Sequence, residues 1–276
     1  MVASAVTVAT LTAVAAVFTA GAAQAATLPT ITATVGSTSI AVTGALQSGA
    51  VNIASTATGG KEPSVALFAL KPGVSVVEFY AYLGENKASR DPNSTNKYGS
   101  IVFDAAAGKG KAAEAQTVLA PGQYVALNAE GEKSSAWPRA SVVIAPSPSP
   151  ASLPAPQATV KTVDFAFKGP KVLHVGELVR FENEGYLVHM DVAIGAKSAK
   201  AAAKIAKGLA AGQEKGLRKL ASGAEANFAG PLSSGAFQQE TITDKPGWYV
   251  QACFMPTQDG RPHTLLGMER VIKIVK

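Results

Sequence analysis

Nine residues separate the only cysteine, Cys253, from His263, and four more separate His263 from Met268. A thiolate, an imidazole and a thioether therefore sit on one short stretch. A second imidazole would complete a trigonal set of two histidines and one cysteine with a weak axial methionine, which suits copper used for one-electron transfer and not the harder oxygen-loving ions. His189, in FENEGYLVHMDVAI, is the residue available for that place, beside another strand-like run.

Elements must hold these donors. Residues 248–252, WYVQA, read as a strand that follows Pro246-Gly247 and runs directly into Cys253. A loop punctuated by Pro and Gly then delivers His263 and Met268 ahead of a final strand at 271–275. Side chains alternate across a strand, so Cys253 shares a face with Gln251 and Tyr249, while Trp248, Val250 and Ala252 share the other. His189 likewise goes with Asp191, and Met190, Val192 and Ile194 form the more apolar face. If the apolar faces are the core, both donors point outward. A bulge would re-aim them, or Gln251 and Asp191 are buried and hydrogen-bonded beside the site.

The first half carries the same frame. APGQYVALN at 120–128 lines up with KPGWYVQAC at 245–253, and TGGKEPSV at 58–65 with NEGYLVHM at 183–190. In that register Asn128 stands for Cys253 and Ser64 for His189, so the first copy lacks the donors.

With these motifs the chain resembles the cupredoxins, the blue-copper β-sandwich family, over about its last 120 residues, with a degraded copy before them. The resemblance implies Greek-key sandwiches in which one His comes from an early strand and Cys, His and Met from the last loop. It implies His189, Cys253 and His263 as equatorial ligands of one type 1 copper ion and Met268 as the axial one. The Cys-x9-His-x4-Met loop is longer than in the small electron carriers and is closer to the ligand loop of the type 1 site in copper nitrite reductases.

Length and composition fit that picture. The 276 residues are enough for two domains, and 26 Gly and 16 Pro with only 16% charged residues favour turn-rich β structure. The expected fold class is all-β: two tandem Greek-key sandwiches, the second with a helical insertion. Residues 27–144 form a domain without ligands, 145–156 a Pro-rich linker of extended conformation outside any sheet ladder, and 157–276 the domain with the copper site. Expected strands in the latter are 160–167, 178–183, 190–194, 238–242, 248–253 and 271–275.

Residues 1–25 are apolar and end in Ala-Gln-Ala, which fits an export signal cleaved after Ala25 and places the mature chain outside the cell; a membrane anchor is the alternative. The first 25 residues contain no Lys or Arg, so the positive start of such a signal is missing.

The insertion, 196–221, is rich in Ala, Lys and Leu, with Gly208 and Gly212 as expected breaks. Lys197, Lys200, Lys204 and Lys207 fall on one helical stripe, either a solvated face or a docking surface for an acidic redox partner or an anionic envelope polymer. A net charge of +6 without aromatic-basic interleaving gives no sign of nucleic-acid binding.

Three histidines limit the chemistry. After one type 1 site is filled, too few remain for a trinuclear cluster or a second copper site, and a three-histidine zinc site is equally short. His174 is expected at a strand end. A Cys253–His263 nucleophilic pair lacks any oxyanion-hole signature. The reading is an electron-transfer protein that is not an enzyme, against the alternative of a metal-free module that binds a partner or the envelope.

Overall fold

A computed structural model describes residues 27–213 and 215–276. The export signal and the cleavage point after Ala25 lie outside the described residues. No helix among the described residues is long and apolar enough to cross a membrane.

The first half contains β1 (Thr30–Val35), β2 (Ile40–Gly44), β3 (Gly49–Ala57), β4 (Ser64–Leu70), α1 (Val76–Gly84), β5 (Gly99–Ala106), β6 (Gly108–Lys109), β7 (Ala113–Leu119), β8 (Gly122–Leu127) and β9 (Arg139–Ile144). The second contains β10 (Ala158–Val163), β11 (Ala166–Lys168), β12 (Val172–His174), β13 (Leu178–Asn183), β14 (His189–Ala196), α2 (Ala199–Ala210), β15 (Ala221–Leu232), β16 (Phe237–Thr241), β17 (Gly247–Ala252) and β18 (Glu269–Val275).

The protein is mostly β and consists of two sandwiches in tandem. In the first, β2-β1-β3-β7 faces β5-β4-β8-β9; in the second, β11-β10-β13-β16 faces β12-β18-β17-β14-β15. Period-two patterning makes these layers: β1 turns Ile31, Ala33 and Val35 inward and its three threonines outward, and β13 buries Val179, Phe181 and Asn183. Across the second core, Phe181 and Phe228 stack at 5.0 Å with both rings fully buried.

The internal repeat is visible in side chains. Tyr124 Oη donates to the Ala120 carbonyl at 2.9 Å, and Tyr249 Oη to that of Lys245 at 2.7 Å, a tyrosine corner in each half. Strand pairing moves the upstream register by one residue. Ala66 pairs with Leu127 as Val192 pairs with Ala252, so Pro63, not Ser64, stands where His189 does. Accordingly Ser64 N donates to Asn128 Oδ1 at 3.2 Å, as Met190 N does to Cys253 Sγ at 3.4 Å.

The two sandwiches are joined more closely than a linker implies. β7 and β16 pair at Gln116 and Gln239, which fuses four strands from each half into one sheet that also takes in β6. Around that seam Thr117 Oγ1 donates to the Phe237 carbonyl, and the Asp104 N–H to Gln238 Oε1. The Pro-rich segment 145–156 is strapped down rather than free. Its prolines have no N–H to give, so its carbonyls serve: Ala145 O accepts from Ser48 N, Ala151 O from Ala50 N, and Pro154 O from Gln239 Nε2. Ala145 also forms a parallel bridge to Gln47, so this segment does enter sheet-like pairing.

Other boundaries differ from expectation. The run 160–167 is a hairpin, β10 and β11, that turns at Asp164 and Phe165. β15 begins where the helical insertion was expected to end, and its Ala, Gly and Pro content hides a strand whose position is set by pairing with β14. Helix α2 starts at an Ser198 cap that accepts from Ala201 N and stops before Gly212 at φ 65°; Gly208 lies inside it. Lys200, Lys204 and Lys207 are exposed on the helix. Lys197 precedes the cap, off the stripe, and its Nζ donates to the Lys219 carbonyl.

One buried acid on the inter-half seam gives a pH prediction. Burial pushes the Asp104 carboxyl up to about 7, against a Ser64 hydrogen bond. Its folded value lies above the unfolded one, so the folded state holds the proton more tightly. Stability from this group is therefore greatest below pH ~4 and falls as pH rises through ~7, by on the order of 4 kcal/mol in all. The metal-free protein is expected to melt higher at pH 5 than at pH 8, with part of the difference removed by Asp104→Asn in thermal scans, because burial also raises Asp191 and Glu240.

Candidate metal centre

β17 carries the thiol to the end of the sandwich. Both of its faces are buried, which settles the question that strand alternation left open. Val250 and Ala252 lie under α2 against Ala201, Ala202, Ile205 and Leu209. Tyr249 and Cys253 face the interior between the sheets. The apolar face is thus covered by the helix, and the donor face is the sandwich core. Gln251, on that donor face, gives its amide N–H groups to both oxygens of buried Asp191 at 2.7 Å and accepts from Arg270 Nε at 2.6 Å. Register shifts between β14 and β15 at His189, Asp191 and Val192 add a bulge beside the other donor.

The long loop does not separate its ends. A bridge between Pro256 and Pro262 closes it, and Thr257 and Asp259 bind Arg261 across the tip. Backbone bonds then stitch the donor positions together: Cys253 N to Met268 O and Met268 N to His263 O, each 3.1 Å, and His263 N to Met255 O at 2.9 Å. Gly267, at φ 93°, makes the turn that brings Met268 into the core.

His189, Cys253 and His263 come together completely buried. The two Nδ1 atoms are 3.1 Å apart and lie 3.8 and 3.3 Å from Cys253 Sγ. A point equidistant from the corners of this triangle is about 2 Å from each, close to a nitrogen or thiolate bond to a first-row ion. Met268 is fully buried in the same core as Cys253. His174 is half-exposed at the end of β12, beside Glu177, and takes no part.

Burial favours the uncharged forms of the three donors. Burial pushes the Cys253 thiol up to about 12 and the His263 imidazole down to about 4, the latter with help from His189. Burial also lowers His189, against the pull of Asp164. His263 Nε2 is buried with no partner among the described residues. With a proton on Nε2 that donor is unsatisfied and two Nδ1 lone pairs oppose each other; with a proton on Nδ1 the Nε2 lone pair is stranded. A cation held by both Nδ1 atoms and the thiolate relieves the first arrangement, so the donor set fits a single copper ion of type 1 character.

A buried Cys–His–Met loop thus closes one end of the second sandwich and is completed by a histidine from the adjoining strand. The chain is cupredoxin-like. No family model matches it, and no curated protein matches it in sequence. Solved structures similar to it include a dithionite-reduced auracyanin from Roseiflexus castenholzii, 19% identical, covering 43% of this chain and 95% of that one at a TM-score of 0.26. A copper-containing nitrite reductase from Thermus scotoductus is 14% identical, covering 90% and 67% at 0.27. A multicopper oxidase is 9% identical, covering 89% and 88% at 0.24. The last two are named as enzymes, and the expectation that this chain is not an enzyme is withdrawn.

Two contacts escaped the sequence. Asp164, at the turn between β10 and β11, binds His189 Nε2 at 2.6 Å. From the other half, Asn93 Oδ1 accepts from the Val188 N–H at 2.7 Å, next to His189. The only sequence signal for either was an acid in an otherwise apolar run, VDFAF, and a polar loop rich in Asn.

Proposed function

We propose that the chain is an exported protein that binds one copper ion through Nδ1 of His189, Sγ of Cys253 and Nδ1 of His263, with Met268 as axial ligand, and passes single electrons through it. The observation that carries this is the buried triangle of three donor atoms. Copper, when bound, supplies a one-electron couple. The residues do the rest: the stitched backbone of Cys253, His263 and Met268 keeps the donors in place, and burial under two sheets and a helix excludes water. Little has to move when the charge at the site changes.

The test uses chain recovered outside the cells that make it. It is expected to begin at Ala26, to take up one equivalent of copper(II), and to show an intense visible thiolate-to-copper band with a matching paramagnetic signal. Protein that binds no stoichiometric copper would overturn the copper reading, and retention inside the cell would overturn export.

A further inference from the structure

Asp164 comes from the fused sheet and His189 from the facing one, so their 2.6 Å hydrogen bond crosses the end of the sandwich. The carboxylate is itself held: Oδ2 accepts from Tyr186 N at 2.8 Å and Oδ1 from Leu187 N at 3.2 Å. The loop that carries those N–H groups is tied by Asn183, whose amide donates to the Leu187 and Leu232 carbonyls and whose oxygen accepts from Gly185 N. Gly185 is there because nothing larger fits. A Cβ at that position would lie 2.6 Å from both Asp164 Oδ1 and His189 Nε2.

An acceptor fixed this way decides where the imidazole proton sits. With the proton on Nε2, the Nδ1 lone pair faces Cys253 Sγ and His263 Nδ1. The two histidines are therefore unlike. His189 has an anionic partner on its far nitrogen, and His263 has none among the described residues. Negative charge on the far side of an imidazole increases its donation to a metal, and such partners are worth 10- to 100-fold in metal affinity. More donation favours the more highly charged oxidation state.

We infer that Asp164 is a positioning residue that fixes the His189 tautomer and biases the site toward copper(II), lowering its reduction potential. The inference rests on the copper reading above for its redox part and on the metal-free chain for its tautomer part. Asp164 is about one-third exposed, so solvent weakens its charge and the lower end of that affinity range applies.

The experiment compares wild type with Asp164→Asn and Asp164→Ala. In the metal-free wild type, nitrogen-resolved NMR is expected to show His189 protonated on Nε2, a preference lost in Asp164→Ala. In the copper-loaded proteins, Asp164→Asn keeps a hydrogen-bond acceptor but no charge. Its copper(II) affinity is expected to fall about tenfold with copper(I) affinity little changed, which raises the potential by about 59 mV. A wild-type His189 protonated on Nδ1 would overturn the inference whatever copper does. An Asp164→Asn potential equal to wild type would overturn the bias toward copper(II). If Asp164→Ala does not fold, the wild-type tautomer and the Asn variant still decide. Failure of wild type to bind copper removes the function and leaves the tautomer result standing or falling alone.

Discussion

Cys253→Ser is expected to give a folded protein with no intense visible band and copper affinity reduced by more than about 100-fold, beyond the range usual for losing a mere supporting hydrogen bond. The hydroxyl is smaller than the thiol but has the partners it needs. Met190 N can still donate to it, and the Nδ1 atoms of His189 and His263 remain in reach, so stability should change by only about 1 kcal/mol. A proton count checks the same point. The thiol, pushed up to about 12, is protonated at pH 7, whereas His263, pushed down to about 4, is already neutral. Copper uptake by wild type should therefore release about one proton, and apparent affinity should rise about tenfold per pH unit near neutrality. In Cys253→Ser that slope should nearly vanish. Calorimetry in two buffers of different ionisation enthalpy, with absorption recorded in parallel, reads both effects; a blue band or an unchanged proton count in the serine protein would show that Cys253 is not the ligand.

Phe228→Ala is expected to cost about 3–5 kcal/mol, the range for deleting a large aromatic from a packed core. The ring is fully buried and stacked on Phe181, with an interplanar angle of 6°. That cost is a large part of the 5–15 kcal/mol that holds a typical domain together. Urea unfolding followed by Trp137 and Trp248, one in each half, measures it. Because the halves share a sheet, both tryptophans should report a single transition at a lower midpoint. A loss confined to Trp248 would show that the seam between Gln116 and Gln239 does not couple the halves.

Local pattern made much of this legible. The WYVQAC run announced β17 and its donor, and the Pro-Gly-aromatic repeat announced two similar halves, later seen as two tyrosine corners. Spacing put Cys253, His263 and Met268 on one short stretch, and the resemblance to cupredoxins made them one donor set; the bridge that closes the loop was not legible. The rest depended on contacts between distant segments. Asp164 was hidden inside what reads as one strand, since nothing in VDFAF marks a turn whose purpose is a histidine 25 residues away. β15 has little β-propensity and exists because β14 offers it a ladder. The covering of Val250 and Ala252 by α2 explains why alternation pointed both ways: a strand buried on two sides has no outward face to identify.

The strapped segment 145–156 and the fused sheet tie the halves to each other at several points. On the proposed function, a redox partner would meet two halves already held together. Turnover would then be governed by how often the partner arrives and how far the electron must tunnel, and viscosity should slow the encounter without exposing a separate gating step.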